Sequence, residues 1–198
     1  MYLKYIKRLI DLLLSLIILF SLSWLFIIIA MVIKLTSRGN IIYKQRRVGI
    51  HKSEFYIFKF RTMNIDTPGD VPTHLLNNPD RYLTKIGKLL RKSSLDELPQ
   101  LFNIIKGDMS LVGPRPSLWN QYDLIEEREK YNANSIRPGL TGWAQINGRD
   151  ELSINLKAYY DGEYLKRVNF TFDALCLFKT ILCIIKREGI KEGSWSNN

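Results

Sequence analysis

Residues 12–33 form an uninterrupted apolar run of 22 residues without charge or proline, relieved only by Ser15, Ser21 and Ser23. As a straight helix the run would be about 33 Å long, enough to cross a bilayer core. It is too long for a signal-peptide core, and no small-residue cleavage pattern follows it. The pattern then changes period. Residues 41–49 and 54–63 are rich in aromatic and β-branched residues, with a turn at Gly49–Ser53 between them, which predicts a hairpin. Alternation in the second piece places Lys59 and Arg61 on one face and Tyr56, Phe58 and Phe60 on the other. Residues 80–92 return to helical spacing. Tyr82, Leu83, Ile86, Leu89 and Leu90 share a face bordered by Arg81, Lys85, Lys88 and Arg91, which suits a helix lying in a membrane interface or packed on a core. Further helices are expected from Ser117 to about Tyr131, near 151–167, and near 171–188, the last strongly apolar. Residues 67–79, 107–116 and 137–149 are rich in glycine and proline and read as loops. The fold class expected is α+β and mostly helical.

Charge locates the chain in the cell. The net charge is +10, but residues 1–61 hold 11 lysines and arginines against Asp11 and Glu54, whereas the remainder is close to neutral. An excess that brackets an apolar run is a membrane signature, and a nucleic-acid partner is not expected. Lys4, Lys7 and Arg8 precede the run; Lys34, Arg38, Lys44, Arg46 and Arg47 follow it. Both flanks therefore favour the cytoplasm, which a helix that enters, bends and returns satisfies and a single span does not. Both topologies stay open on the residues alone. Cys176 and Cys183 sit seven apart on one helical stretch, too far for a disulfide within it. With His51 and His74 as the only histidines, a Cys/His zinc site is excluded.

Residues 91–100 read Arg-Lys-Ser-Ser-Leu-Asp-Glu-Leu-Pro-Gln. Pro99 belongs in the first turn of a helix, so Asp96 is expected at or near the N-cap. There the free amides would keep its carboxylate ionised and could also receive a phosphate. A capped helix start with an acidic neighbour is the alternative on these residues alone. Downstream, Gly113-Pro114-Arg115-Pro116 and the stretch from Arg137 to Arg149 bring arginines in on glycine-bearing loops. Neither has the spacing of an ATP- or NAD-binding fingerprint.

Together, Lys7-Arg8-x-x-Asp11, Lys59-Phe60-Arg61-Thr62-Met63, Ser94-Leu95-Asp96-Glu97-Leu98-Pro99-Gln100-Leu101, Gly107-Asp108-Met109-Ser110, Gly113-Pro114-Arg115-Pro116 and Arg137-Pro138-Gly139-x-Thr141-Gly142-Trp143-Ala144-Gln145 resemble the bacterial sugar transferases, the small monotopic polyprenyl-phosphate phosphoglycosyl transferases. The resemblance spans about residues 4 to 188. It implies transfer of a sugar 1-phosphate from a UDP-sugar to undecaprenyl phosphate with release of UMP. It also implies Mg²⁺, with Asp96 as the nucleophile that forms a covalent phosphosugar intermediate and Glu97 helping to hold the metal. Lys59, Arg61, Arg91, Arg115, Arg137 and Arg149 are the positions it assigns to substrate phosphates. Where that family usually has a Ser-Pro pair at the bend of a re-entrant helix, this chain has Ser23-Trp24.

The resemblance further implies an inner-membrane protein with its catalytic part facing the cytoplasm. Residues 1–38 would be the membrane-associated helix, 39–190 the catalytic domain and 191–198 a disordered tail. Its partners would be anionic lipids and glycosyltransferases of the same pathway, in capsule, O-antigen or glycoprotein glycan assembly. Residues 66–76 look like those of members acting on N-acetylated amino-deoxy sugars. The competing class is a non-catalytic membrane-anchored adaptor of a polysaccharide assembly complex.

Overall fold

The computed structural model describes residues 1–65, 67, 81–148 and 151–186. It is mostly helical, with two small two-stranded sheets. A π-helical turn, Tyr2–Ile6, leads into α1 (Lys7–Ser21), which meets α2 (Ser23–Thr36) at a 63° bend. Among the described residues no single helix is long and apolar enough to cross a membrane, although the bent pair passes together by length and composition. The run of residues 12–33 is therefore not one straight helix. The bend falls beside the expected Ser23-Trp24 pair. Leu22 leaves helical geometry (φ −101°, ψ 10°), and the Ser23 hydroxyl donates to the Phe20 carbonyl at 2.9 Å. A serine bonding back to a carbonyl weakens the helical ladder and here stands in place of proline.

α1 has its polar side turned inward. Lys7, Asp11 and Ser15, four residues apart, are buried, whereas Leu9, Leu13, Leu16, Ile17 and Phe20 are exposed. Lys7 pairs with Asp173 at 2.7 Å. Asp11 accepts from the Ser110 hydroxyl at 2.7 Å and from the Leu111 amide at 3.0 Å. Arg8 donates to the carbonyls of Ile104 and Ile105. The Lys7-Arg8-x-x-Asp11 motif thus ties α1 to the rest of the fold.

β1 (Ile42–Val48) and β2 (Glu54–Phe60) form the expected antiparallel hairpin, in register from Ile42↔Phe60 to Val48↔Glu54. β2 buries Phe55 and Ile57 with Leu101, Ile104, Met109 and Leu111, while Phe60 joins Ile29, Ile33 and Leu90 in a second cluster under α2. α3 (Lys85–Lys92) starts later than the pattern implies. Thr84 caps it by accepting from the Gly87 amide at 2.9 Å, and Leu83 instead bridges to Met63. A Cβ at Gly87 would lie 2.0 Å from the Thr62 carbonyl, so glycine lets α3 pack closely on the chain leaving β2.

After α4 (Gln100–Lys106), two segments read as loops turn out to pair. β3 (Ser110–Val112) and β4 (Gly139–Thr141) run parallel. A Cβ on Gly139 would lie 2.1 Å from the Gly113 nitrogen, and one on Gly142 would lie 2.0 Å from the Gly113 oxygen. These glycines allow backbone to meet backbone rather than ligand. α5 (Tyr122–Glu129) also begins later than expected, because Ser117 is buried and its carbonyl accepts from Val48 instead of opening a helix. α6 (Trp143–Ile146), α7 (Ile154–Arg167, capped by Ser153) and α8 (Phe170–Lys186) complete the fold. Cys176 and Cys183 are free thiols.

One side chain holds β2 against α4. Asn103, fully buried, accepts from the Phe58 amide at 2.9 Å and donates to the Tyr56 carbonyl at 2.7 Å. Asn103→Leu leaves both backbone groups unpaired and is expected to cost about 2–4 kcal/mol, measured by chemical denaturation of the detergent-solubilised protein.

Candidate active site

The Asp96-Glu97 pair lies on a 3₁₀ turn, Leu95–Glu97, between α3 and α4. Ser94 adopts a left-handed conformation (φ 55°) that reverses the chain out of α3. The Glu97 and Leu98 amides then donate to Ser94 and Leu95, and α4 opens behind Pro99. Asp96 is therefore not the N-cap. Its carboxylate makes no capping bond, and the two amides that follow it are already bonded. The cap expectation fails because Pro99 itself takes the N-cap position, leaving the acidic pair one turn earlier.

Cations, not helix amides, are what oppose protonation of Asp96, and they offset its burial only in part. Asp96 is buried, which pushes its carboxyl above the usual aspartate range; Lys59 opposes that rise, the Glu97 charge adds to it, and Arg91 and Arg115 oppose it. Glu97 accepts from Lys59 at 2.7 Å and from Arg115 at 3.3 Å, both at the same carboxylate oxygen. Burial in turn depresses Lys59, with Glu97 and then Asp96 favouring its charged form. Arg91 donates through Nε to the buried Thr62 hydroxyl at 2.9 Å, on the side of Asp96.

The other expected positions divide. Arg61 does not join Lys59: it donates to the Ser37 carbonyl and hydroxyl at 2.8 and 2.7 Å, at the end of α2. Arg137 donates to the Gly107 carbonyl at 2.9 Å, at the opposite end of α4 from the acidic pair. Arg149 and residues 68–80 lie outside the described residues.

Two cations were missed. Arg47, beside Arg115 and Glu97, is pushed down to about 10, chiefly by burial and then by Arg115. It donates to the Pro116 carbonyl at 3.0 Å and to Gln45 at 2.6 Å. The hairpin register places Tyr43 opposite Lys59, so alternation from Tyr43 puts Arg47 on the Lys59 face. That signal was in the sequence but was read only as a membrane flank. Arg128, buried in an ion pair with Asp161 at 2.7 Å, donates to the Arg115 carbonyl at 2.9 Å. Nothing local in the sequence announces it.

Two adjacent carboxylates within a ring of cations suit an anionic, oxygen-rich substrate, and a carboxylate nucleophile held there has its charge repulsion with a diphosphate offset. No group of three or more metal-binding side chains occurs among the described residues. A two-carboxylate donor set still fits Mg²⁺, which commonly takes one or two carboxylates together with waters and substrate phosphate oxygens.

Sequence comparison matches residues 2–187 to the family described as Bacterial sugar transferase. The chain belongs to that family. The uncharacterized sugar transferase EpsL of Bacillus subtilis is 40% identical over 187 residues, covering 94% of this chain and 91% of its own. The undecaprenyl-phosphate galactose phosphotransferase of Salmonella typhimurium is 35% identical over 201 residues, and the match covers 42% of its length. An Aeromonas hydrophila relative, named UDP-N-acetylgalactosamine-undecaprenyl-phosphate N-acetylgalactosaminephosphotransferase, is 36% identical over 194 residues, covering 45% of its length. This sugar transferase thus spans nearly all of EpsL and less than half of the two larger relatives.

A buried aspartate with a raised pKa destabilises the folded state once the pH exceeds the unfolded value. Asp96→Asn is expected to raise the melting temperature at neutral pH. The gain should shrink as pH falls through the folded pKa of Asp96 toward the ordinary aspartate value, as followed by thermal denaturation across a pH series.

Proposed function

We propose that this sugar transferase moves a sugar 1-phosphate from a UDP-sugar to undecaprenyl phosphate, releasing UMP, through a phosphosugar ester of Asp96. The observation that carries the reading is the buried Asp96 carboxylate beside Glu97, within a cluster of Lys59, Arg91, Arg115 and Arg47. The names of the relatives, which act on undecaprenyl phosphate, support the substrate class.

In the first step a carboxylate oxygen of Asp96 attacks the β-phosphorus, and the bond from that phosphorus to the bridging oxygen breaks. UMP leaves with the electron pair. In the second step an oxygen of undecaprenyl phosphate attacks the same phosphorus, the bond to Asp96 breaks, and the carboxylate is restored. Lys59, Arg91 and Arg115 lower the repulsion between the carboxylate and the diphosphate and favour the ionised form of Asp96. Glu97 would help to hold Mg²⁺, which when bound supplies charge neutralisation at the phosphate oxygens.

The apolar outer face of α1, set against its buried Lys7 and Asp11, supports burial of α1 and α2 in lipid as a re-entrant pair, with the catalytic part on the cytoplasmic side of the inner membrane. The sugar belongs to the N-acetylated amino-deoxy class, and the product enters capsule, O-antigen or glycoprotein glycan assembly, where downstream glycosyltransferases would use it. A panel of UDP-sugars assayed for UMP release tests the sugar assignment. Faster turnover with UDP-glucose or UDP-galactose than with any N-acetylated amino-deoxy sugar would overturn it.

Asp96→Asn should lower UMP release by about 10³-fold or more, and the wild-type enzyme incubated with donor alone should carry a phosphosugar mass on the Asp96 peptide. Retained turnover in that variant contradicts the nucleophile assignment. Because Asp96 must be ionised, the acid limb of kcat/KM is expected above the ordinary aspartate range. Lys59→Met, removing the largest opposing charge, should move that limb to still higher pH. For topology, single cysteines at positions 2 and 38 in a background lacking Cys176 and Cys183 are expected to label from the same side of the membrane; labelling from opposite sides means a span.

A further inference from the structure

Thr62 is buried, two residues past the end of β2, and the reaction as described gives it no part. It nevertheless touches both ends of α3. At the start of the helix its carbonyl accepts from the Thr84 amide at 3.0 Å and from the Thr84 hydroxyl at 3.2 Å. The same Thr84 oxygen accepts from the Gly87 amide and so caps the helix. Gly87 presses on the Thr62 peptide as well: an added Cβ would lie 2.7 Å from the Thr62 carbonyl carbon. In the last turn of α3 the Thr62 hydroxyl accepts from Arg91 Nε at 2.9 Å.

These contacts have different consequences. Those to the Thr62 backbone fix α3 against the chain leaving β2 and need no particular side chain at position 62. The hydroxyl adds what they cannot. An arginine carries its charge at the end of a long stem with many rotamers, and the planar guanidinium bonds well only when its orientation is set. With Nε held by Thr62, the end of that stem no longer turns freely. The charge so held acts on the acidic turn, where it favours the ionised form of Asp96. Lys59 reaches the same turn directly, bonding Glu97 at 2.7 Å. One strand exit therefore delivers two cations, Lys59 by its own side chain and Arg91 through the hydroxyl at position 62. Valine has the same branched shape as threonine but would leave the Arg91 Nε–H without this acceptor.

We infer that Thr62 is a positioning residue for the transfer reaction: its hydroxyl, anchored through its own backbone to Thr84 and Gly87, holds the Arg91 guanidinium on the side of Asp96, set to meet the phosphate under attack. Thr62 touches no reacting atom and acts through Arg91. Serine, which keeps the hydroxyl, serves in its place, and valine does not. The inference rests on the reading of Asp96 as the attacking carboxylate. The two fail separately, because the coupling between Thr62 and Arg91 is measured without altering Asp96.

The test uses the full detergent-solubilised chain, undecaprenyl phosphate and whichever UDP-sugar of the panel turns over fastest, at a temperature well below the melting point of every variant. Thr62→Val is expected to lower kcat/KM for UMP release about tenfold, as a small misplacement near the reacting atoms can. Thr62→Ser should return it to within about twofold of wild type. In an Arg91→Met background, adding Thr62→Val should cost less than about twofold, because a residue that acts through another has nothing further to lose. A second readout does not depend on turnover. The Arg91 Nε–H signal in NMR spectra, assigned by its loss in Arg91→Met, should exchange with water slowly in wild type and Thr62→Ser, and at least about tenfold faster in Thr62→Val. Wild-type kcat/KM in Thr62→Val overturns the inference, as does a serine variant as impaired as the valine one. So do losses that multiply between Thr62→Val and Arg91→Met, and an Nε–H that exchanges as fast in wild type as in Thr62→Val. Asp96→Asn with wild-type turnover overturns the nucleophile reading instead, and the coupling of Thr62 to Arg91 is still read in the same assay.

Discussion

The Lys59–Glu97 bond, 2.7 Å long and largely shielded from water, is the interaction on which the arrangement of the site depends. Two neighbouring carboxylates, one of them buried, would repel each other and draw protons if nothing offset them. Lys59 supplies the offset from the end of β2, and its position is set by features that look unrelated to chemistry. The β1–β2 register fixes where its side chain emerges. Asn103 fixes how far β2 stands from the helix that follows the acidic turn. Ser94, in its left-handed conformation, fixes which way that turn faces.

A second tier of charge steadies the first. The backbone of Arg115 is held from two sides, by the buried Arg128 at its own carbonyl and by Arg47 at the carbonyl of Pro116. Arg128 can be buried because Asp161 neutralises it. Breaking such a pair by removing one partner is far more damaging than replacing both. The loop bearing Arg115 is therefore held firmly even though it contains two prolines and a glycine.

Much of this was legible in the residues. The hairpin followed from alternation and a turn, and the acidic pair from the motif around it. The end of the straight apolar run at Ser23 was also anticipated, although the physical device proved to be a hydroxyl rather than a proline ring. What was illegible shares one cause: contacts between distant segments. Gly113, Gly139 and Gly142 read as loop residues because their role, the close crossing of two backbones, exists only once β3 and β4 meet. Asp96 was misplaced as a cap because propensity alone does not show that Ser94 turns back and Pro99 takes the cap position. Arg61 and Arg137 sit in the same motifs as other expected positions, and motif membership does not reveal which way a side chain turns.

The inward-facing polar edge of α1 has a consequence for how the chain is made. The partners of Asp11 lie 99 and 100 residues further on, and the partner of Lys7 lies 166 residues further on. At ordinary rates of synthesis the delay between Lys7 and Asp173 is on the order of ten seconds. Throughout it, α1 carries a bare lysine and a bare aspartate on a helix otherwise suited to lipid. Its final seating must wait until Asp173 has been synthesised, so α1, among the first elements made, is among the last to be fixed in place.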